Sequence, residues 1–448
     1  MFPHFQLKSL LFPHGFWVAG ALLLPLRAWA GDTTLKLSLA DAVSMARQHN
    51  SSIKASRSRI EQAEARVVQS RQSLLPKVTV SETLMVTNDP GAALVFKLQQ
   101  SSIVSSDFMP EKLNSPKVIN DFNTSVQVMQ PVYNADAAIG RTIALSAKRV
   151  EEHMAERGEE SIGFQVSRVY YGLVLARKNI EAVEQSIKTM QGHSSEAAKA
   201  FGVGLMTKSD KLSTEVRLAE LVEQKLLLHD AVKDASDALR VLLHVDSGVM
   251  IVPTGDLVVD GVVPGGQSGW VPDERADLKA LESGRVIAGY QADMARASRL
   301  PRVNAFLQTN LHSDNIFGGG SSWALGMQVQ WNIFDGMASA GRMQEAKAQE
   351  REAMFNYEAA RSNSVAEVER SMRSMRTAKA RIAVAEKSIE ESRVSLAYIG
   401  SQYRTGMAMT FELLMREQAH TYAKLRLNQA KYDYCVAKSE LAYFRGVH

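Results

Sequence analysis

Residues 323–333 read WALGMQVQWNI, and the side chains sort by parity: Trp323, Leu325, Met327, Val329, Trp331 and Ile333 on one face, Ala324, Gly326, Gln328, Gln330 and Asn332 on the other. A period of two marks a β-strand with one apolar and one small or polar face. Three more stretches repeat it. Val303, Ala305, Leu307, Thr309 and Leu311 oppose Asn304, Gln308 and Asn310; Val78, Val80, Leu84 and Val86 oppose Thr79, Ser81 and Thr83; Phe122, Thr124, Val126 and Val128 oppose Asn123, Ser125 and Gln127. Each has the length of about ten residues that a tilted strand needs to cross a bilayer, and Trp323 and Trp331 suit the two interfaces. A soluble antiparallel sheet with one wet face would look the same strand by strand. Four strands cannot close a membrane barrel, which starts near eight, so a barrel requires several copies of the chain. Glu82 falls in phase with the apolar face of its strand. It marks either a barrel rim or a different register.

Working outward, the chain is duplicated. Leu75-Pro76-Lys77-Val78 returns as Leu300-Pro301-Arg302-Val303, Val132-Tyr133-Asn134 as Ile333-Phe334-Asp335, and the glycine of Val203-Gly204-Leu205 as that of Thr405-Gly406-Met407. The offset is 225 before the alternating segments and about 201 after them, so one hairpin loop, within 89–121, is long and the other, 313–321, is short. The segments 137–200 and 337–400 contain no proline and would run nearly 100 Å as helices at about 1.5 Å per residue. Val169, Leu173, Ala176, Ile180, Val183, Ile187 and Met190 in the first, and Met375, Ala378, Ile382, Ala385, Ile389, Ser392, Leu396 and Ile399 in the second, step by four and three as a coiled-coil seam does. Shorter helices are expected at 38–74, 208–244, 273–299 and 410–445.

This gives a first repeat over 31–244, with its hairpin at 77–131 and helices over 137–244. A linker rich in glycine and proline follows at 245–272, and then a second repeat over 273–448, with its hairpin at 302–334 and helices over 337–445. Residues 1–30, with Lys8, an apolar run from Phe16 to Leu24 and Ala28-Trp29-Ala30, read as a secretory signal cleaved after Ala30. No later apolar run reaches the length of about 20 residues of a spanning helix, so membrane insertion must use strands.

Composition narrows the function. Of 448 residues 22% are charged, and the net charge of +4 falls to about +2 without Lys8 and Arg27. With no basic patch interleaved with aromatics, nucleic acid is excluded as a partner. Cys435 stands alone, which rules out an internal disulfide and a cysteine-built zinc site. The ten histidines form no His-x-x-x-His pair, and neither a phosphate loop nor a nucleophile elbow occurs; Gly266-Gln267-Ser268-Gly269 belongs to the linker. The 19 methionines are spread through helices and strands and read as packing. Neither an enzyme nor a cofactor or metal site is expected.

Leu39-Ala40-Asp41-Ala42, Leu-Pro before the first strand of each half, Gln130-Pro131-Val132-Tyr133, Val203-Gly204-Leu205, Tyr403-Arg404-Thr405-Gly406 and Glu412-Leu413-Leu414 occur in the order and spacing of the TolC family of outer-membrane efflux proteins. The chain resembles that family over its whole mature length. The resemblance implies a mainly helical homotrimer of a Gram-negative outer membrane. Each protomer would give four strands to a twelve-stranded barrel and its helices to a coiled-coil tunnel through the periplasm. It implies a passive exit duct working with a periplasmic adaptor and an inner-membrane transporter of the resistance-nodulation-division or ABC type. Efflux of small molecules or metals ranks above type I protein secretion; a periplasmic coiled-coil scaffold is the alternative of a different class.

The resemblance also assigns residues. Val203, Gly204 and Leu205, with Thr405, Gly406 and Met407, match the adaptor-docking turns at the periplasmic tip, where glycine permits the positive φ of a tight turn. Asp210, Tyr403 and Glu412 match positions at the closed entrance, and three-fold symmetry would make Glu412 a ring of carboxylates that concentrates cations. Asp210 and Glu412 also sit in the first turn of a helix, where an acid is stabilising whatever its function. The family's second entrance acid falls on Met415 and its linking arginine on Ala408, with Arg404 the nearest substitute.

Overall fold

The computed structural model describes residues 33–260, 274–316 and 319–446. The proposed signal at 1–30 lies outside them, as does the glycine-rich part of 245–272. In chain order the elements are β1 (Thr33–Leu37), α1 (Leu39–His49), α2 (Ser51–Gln69), β2 (Lys77–Thr87), α3 (Pro90–Gln99), α4 (Pro110–Asn114), β3 (Ile119–Tyr133), α5 (Ala135–Gly202), α6 (Lys208–Leu243), β4 (Val249–Pro253), α7 (Ala276–Ala297), β5 (Arg302–Ser313), β6 (Gly320–Gln330), α8 (Ala338–Arg404) and α9 (Thr410–Arg445). The duplication is exact at the helix ends: α6 and α9 each hold 36 residues, and both start and stop 202 positions apart.

β2, β3, β5 and β6 form one antiparallel sheet in the order β2-β3-β5-β6. The register puts the four expected apolar rows on a single face. Val80 stands opposite Val126, Val126 opposite Thr309, and Thr309 opposite Trp323, while Ser81, Ser125, Asn310 and Ser322 align on the other side. The apolar face is bare: Val80 is 67% and Trp323 75% exposed. The edges are bare too, since among the described residues β2 and β6 each pair on one side only. From Trp323 to its end at Gln330, β6 covers about 23 Å, close to the apolar band of about 25 Å in outer-membrane barrels. Glu82 is not out of register. It lies across from Thr124, whose hydroxyl donates to its carboxylate, so an acid on the apolar face has a polar partner within the sheet. β6 stops at Gln330, short of Ile333, and the Trp331 indole N–H donates to the Arg299 carbonyl at 3.0 Å.

The helices flanking the sheet in sequence, α2, α5, α7 and α8, all meet it at one end, whereas α3 and α4 lie in the β2–β3 loop at the other. α5 and α8, of 68 and 67 residues, extend about 100 Å away from the sheet. α5 pairs with α6 and α8 with α9 as two antiparallel hairpins. The expected seams are where burial falls: Leu173, Ala176, Val183 and Met190 in α5, and Met375, Ala378, Ile382 and Ala385 in α8, are buried. The 38–74 region is two helices rather than one. Asn50 caps α2 by accepting from the Ser52 N–H at 2.8 Å, and its amide donates to the Leu242 carbonyl at 2.9 Å, which pins the break to the end of α6. The stretch read as a plain linker carries β4, which pairs in parallel with β1. This small sheet belongs to the main core, where the Tyr170 hydroxyl donates to the Leu37 carbonyl and accepts from the Gly255 N–H. No helix among the described residues is long and apolar enough to cross a membrane.

Candidate functional site at the helical tips

Far from the sheet, each hairpin of helices turns in five residues. Gly204 (φ 79°) and Gly406 (φ 75°) are left-handed. The N–H after each reaches back five residues, Leu205 to the Ala200 carbonyl and Met407 to that of Gln402, both at 2.9 Å. These glycine-closed ends satisfy carbonyls that the helices leave open. The turn side chains then project into solvent: Val203, Leu205, Met407 and Met409 are all exposed, Leu205 at 84%. Thr405 instead bonds its hydroxyl to the Gln402 carbonyl at 2.9 Å.

The next helices start alike. Thr207 caps α6 by accepting from the Asp210 N–H at 3.1 Å, and its hydroxyl donates to the Asp210 carboxylate at 2.6 Å. At the equivalent place in α9, Glu412 accepts from the Met409 N–H at 3.3 Å, but methionine has no oxygen to complete the exchange.

The two acids then diverge. Asp210 faces the other hairpin. Its carboxyl is held below the ordinary 3.8 first by the Thr207 hydroxyl and then by that of Thr410, at the start of α9. Buried Tyr403 joins the same point: burial pushes its phenol above 10.0, the Thr410 hydroxyl opposes, and the Asp210 charge adds to the rise. Its hydroxyl points to the Met206 sulfur at 3.7 Å, and its ring meets His193 edge-on at 6.4 Å. Asp210 and Tyr403 are thus brought together through Thr410. Glu412 is not part of this contact; it is exposed and bonded to its own helix start.

A second contact, absent from the sequence reading, lies about two turns further in. Glu417 of α9 is 2% exposed and accepts from the Arg217 Nε of α6 at 3.0 Å and from the Thr421 hydroxyl at 2.6 Å. Thr421's single proton is committed to Glu417, so the Ser186 hydroxyl of α5 donates to Thr421, at 2.6 Å. Arg217 also bonds Glu220 at 3.0 Å. Lys424, facing Glu417, is pushed below its usual value by burial, with Glu417 opposing. The signal was legible as a charge out of place. Glu417 falls in phase with buried Leu413 and Thr421, and Arg217 in phase with buried Thr214 and Leu221.

Beside Glu417, His420 accepts from or donates to the Ser392 hydroxyl at 2.9 Å, and burial, then the Lys424 charge, pushes its imidazole below 6.5. Among the described residues no cluster of His, Cys, Asp and Glu could hold a metal ion. Cys435 is buried, and burial raises its thiol to about 11, so it is unreactive.

Comparison with known proteins places this geometry. The family model described as outer membrane efflux protein matches residues 42–244 and 272–446. The alkaline protease secretion protein AprF of Pseudomonas aeruginosa is 20% identical over 440 residues, covering 96% of this chain and 88% of its own. The outer membrane channel CmeC of Campylobacter jejuni superposes with a TM-score of 0.79 at 18% identity, over 98% of this chain and 94% of that one. The outer membrane protein VceC of Vibrio cholerae gives 0.78 at 16%, over 91% and 96%.

Proposed function

The chain belongs to the outer membrane efflux protein family, and from that premise we propose that three copies form a passive exit duct whose helical tips dock on a periplasmic adaptor and its inner-membrane transporter. The observation that carries the proposal is the four-stranded sheet, with its apolar face and both edges unpaired. An 11-residue edge strand is an open template for pairing, and proteins cover or close such edges. Pairing β6 of one copy with β2 of the next closes the sheet without leaving an edge, and three copies supply twelve strands, an even number within the range of outer-membrane barrels. The bare apolar rows then face lipid, and the polar rows line a lumen. The helices continue that lumen through the periplasm. No residue is asked to do chemistry; energy for transport comes from the partner.

Two surfaces at the tips have distinct roles in this reading. Val203, Leu205 and Met407, exposed on glycine-closed turns, offer the adaptor an apolar contact, with Gly204, Thr405 and Gly406 fixing its shape. Asp210, Thr410 and Tyr403 hold the two helical hairpins together and keep the entrance narrow. Glu412 faces solvent, where three copies give a ring of carboxylates. The likeness to a protease secretion protein over nearly the whole chain supports a second reading, the outer-membrane part of a type I secretion system.

One experiment separates them. In a Cys435→Ala background, Leu205→Cys is crosslinked in living cells and the captured protein is identified by mass spectrometry. Capture of an adaptor that serves a resistance-nodulation-division pump is the expected result. An adaptor serving an ABC exporter would establish the secretion reading, and no adaptor, with surface expression verified, would remove the docking role.

A further inference from the structure

The long loop between β2 and β3 folds inward. It holds α3 and α4 at the end of the sheet remote from the helices, and α3 packs against the ends of β3, β5 and β6. Three observations fix which face of the sheet it occupies. Gln100, just past α3, donates through one amide nitrogen to the Asn120 carbonyl at 2.8 Å and to the Asp121 carboxylate at 3.0 Å. The other Asp121 oxygen is 2.8 Å from Nδ1 of His312. Asp121 and His312 are both buried and both belong by parity to the polar row that includes Asn123, Ser125 and Asn310. Gly320, first in β6 and in the polar row with Ser322, has no room for a Cβ, because the Gln99 carbonyl occupies that space. An α3 on the outer, apolar face would touch none of these groups.

We propose that this insertion is a second closure of the duct, a cap that bars bulky solutes at the extracellular mouth while the helical tips close the periplasmic end. The proposal rests on the outer-membrane channel reading, which makes the polar face a lumen and the loop end extracellular. Each protomer carries α3 inward across the mouth of its own third of the barrel, and three-fold symmetry then narrows the whole opening. The insertion has an internal brace that keeps it compact: Lys97 of α3 pairs with buried Asp107 at 2.7 Å, and Asp107 also accepts from the Val104 N–H at 3.0 Å. Gln100 ties that unit to the Asp121–His312 pair on the barrel wall, beside the packing of α3 on the strand ends, so losing this tie should loosen the cap.

The test uses full-length protein in intact cells, in a Cys435→Ala background, labelled from outside with a polyethylene-glycol maleimide too bulky for general porins. Glu111→Cys, exposed on α4, reports whether the loop lies outside the cell; Gln127→Cys, in the polar row below the cap, reports access to the lumen. Glu111→Cys should label at once and Gln127→Cys slowly. Adding Gln100→Ala, which leaves the Asp121–His312 pair intact, should speed labelling at Gln127→Cys by about tenfold, as expected for loss of a hydrogen-bonded tie. Replacing 90–116 with a short glycine-serine linker should speed it further, and this variant covers the case in which Gln100→Ala disturbs only its own neighbourhood. A Gln127→Cys rate that is the same in all three backgrounds, fast or slow, overturns the cap. Glu111→Cys that labels only after lysis would overturn the outer-membrane placement itself, and the cap with it.

Discussion

Glu417→Ala should loosen the tip by a predictable amount. Glu417 is almost fully enclosed, with Arg217 at 3.0 Å and Thr421 at 2.6 Å as partners. Removing one member of a buried ion pair costs about 3–5 kcal/mol, chiefly because the other charge is left without compensation. Here the remaining charge is less isolated, since the Arg217 side chain is 15% exposed and keeps Glu220 at 3.0 Å. A loss of about 2–3 kcal/mol is therefore expected. Native-state hydrogen exchange with mass spectrometry reads this locally: peptides covering 410–424 should lose protection by about 30- to 150-fold, because each 1.4 kcal/mol is a factor of ten. The double variant Arg217→Met, Glu417→Met should recover part of the loss, since no charge is then buried alone. Protection within about twofold of native in Glu417→Ala, or double-variant losses that simply add, would refute the claim that this pair couples α6 to α9.

Thr410→Val removes the hydroxyl shared by Asp210 and Tyr403 and should raise closed-state conductance in planar bilayers. Because Asp210 is held below 3.8, its contribution is complete above that value and is lost only as pH falls through the still lower folded value, so the native channel should show no Asp210-dependent opening between pH 8 and 5. His420 behaves oppositely over that range. Its depressed value means that the stability gained from keeping it neutral is complete above 6.5 and is lost as pH falls from there through the folded value, so the native protein should lose more thermal stability between pH 7.5 and 5.5 than His420→Gln does. Gly204→Val or Gly406→Val forces a β-branched residue into positive φ and should abolish efflux while trimers still assemble on a native gel. Glu412→Ala should reduce cation preference in reversal-potential measurements; unchanged selectivity would remove it from the lumen.

The four long strands were readable because side-chain period does not depend on partners: Trp323 to Val329 shows the same alternation in isolation as in the sheet. The long helices were readable for the same reason, from seams such as Leu173, Ala176 and Val183. β1 and β4 were not. Each has five residues, and only their mutual pairing across more than two hundred positions makes either a strand. The start of α3 did carry a signal, Asp89 followed by Pro90, and the structure uses it as a cap that accepts from the Ala92 N–H at 2.8 Å. At the tips, the left-handed glycines could be expected from local geometry. That Thr410 joins Asp210 to Tyr403, and that Glu417 meets Arg217, depends on how two hairpins pack, which no local pattern encodes.

The unpaired edges of β2 and β6 have a consequence for inheritance. If assembly is a three-member ring closed edge to edge, a chain with one poisoned edge still joins through the other and spoils the ring it enters. Expressed at equal dose with the native chain, random mixing leaves only about one ring in eight wholly native. Lesions on either edge strand should therefore be dominant. Lesions that prevent the chain from folding, and so keep it out of rings altogether, should be recessive.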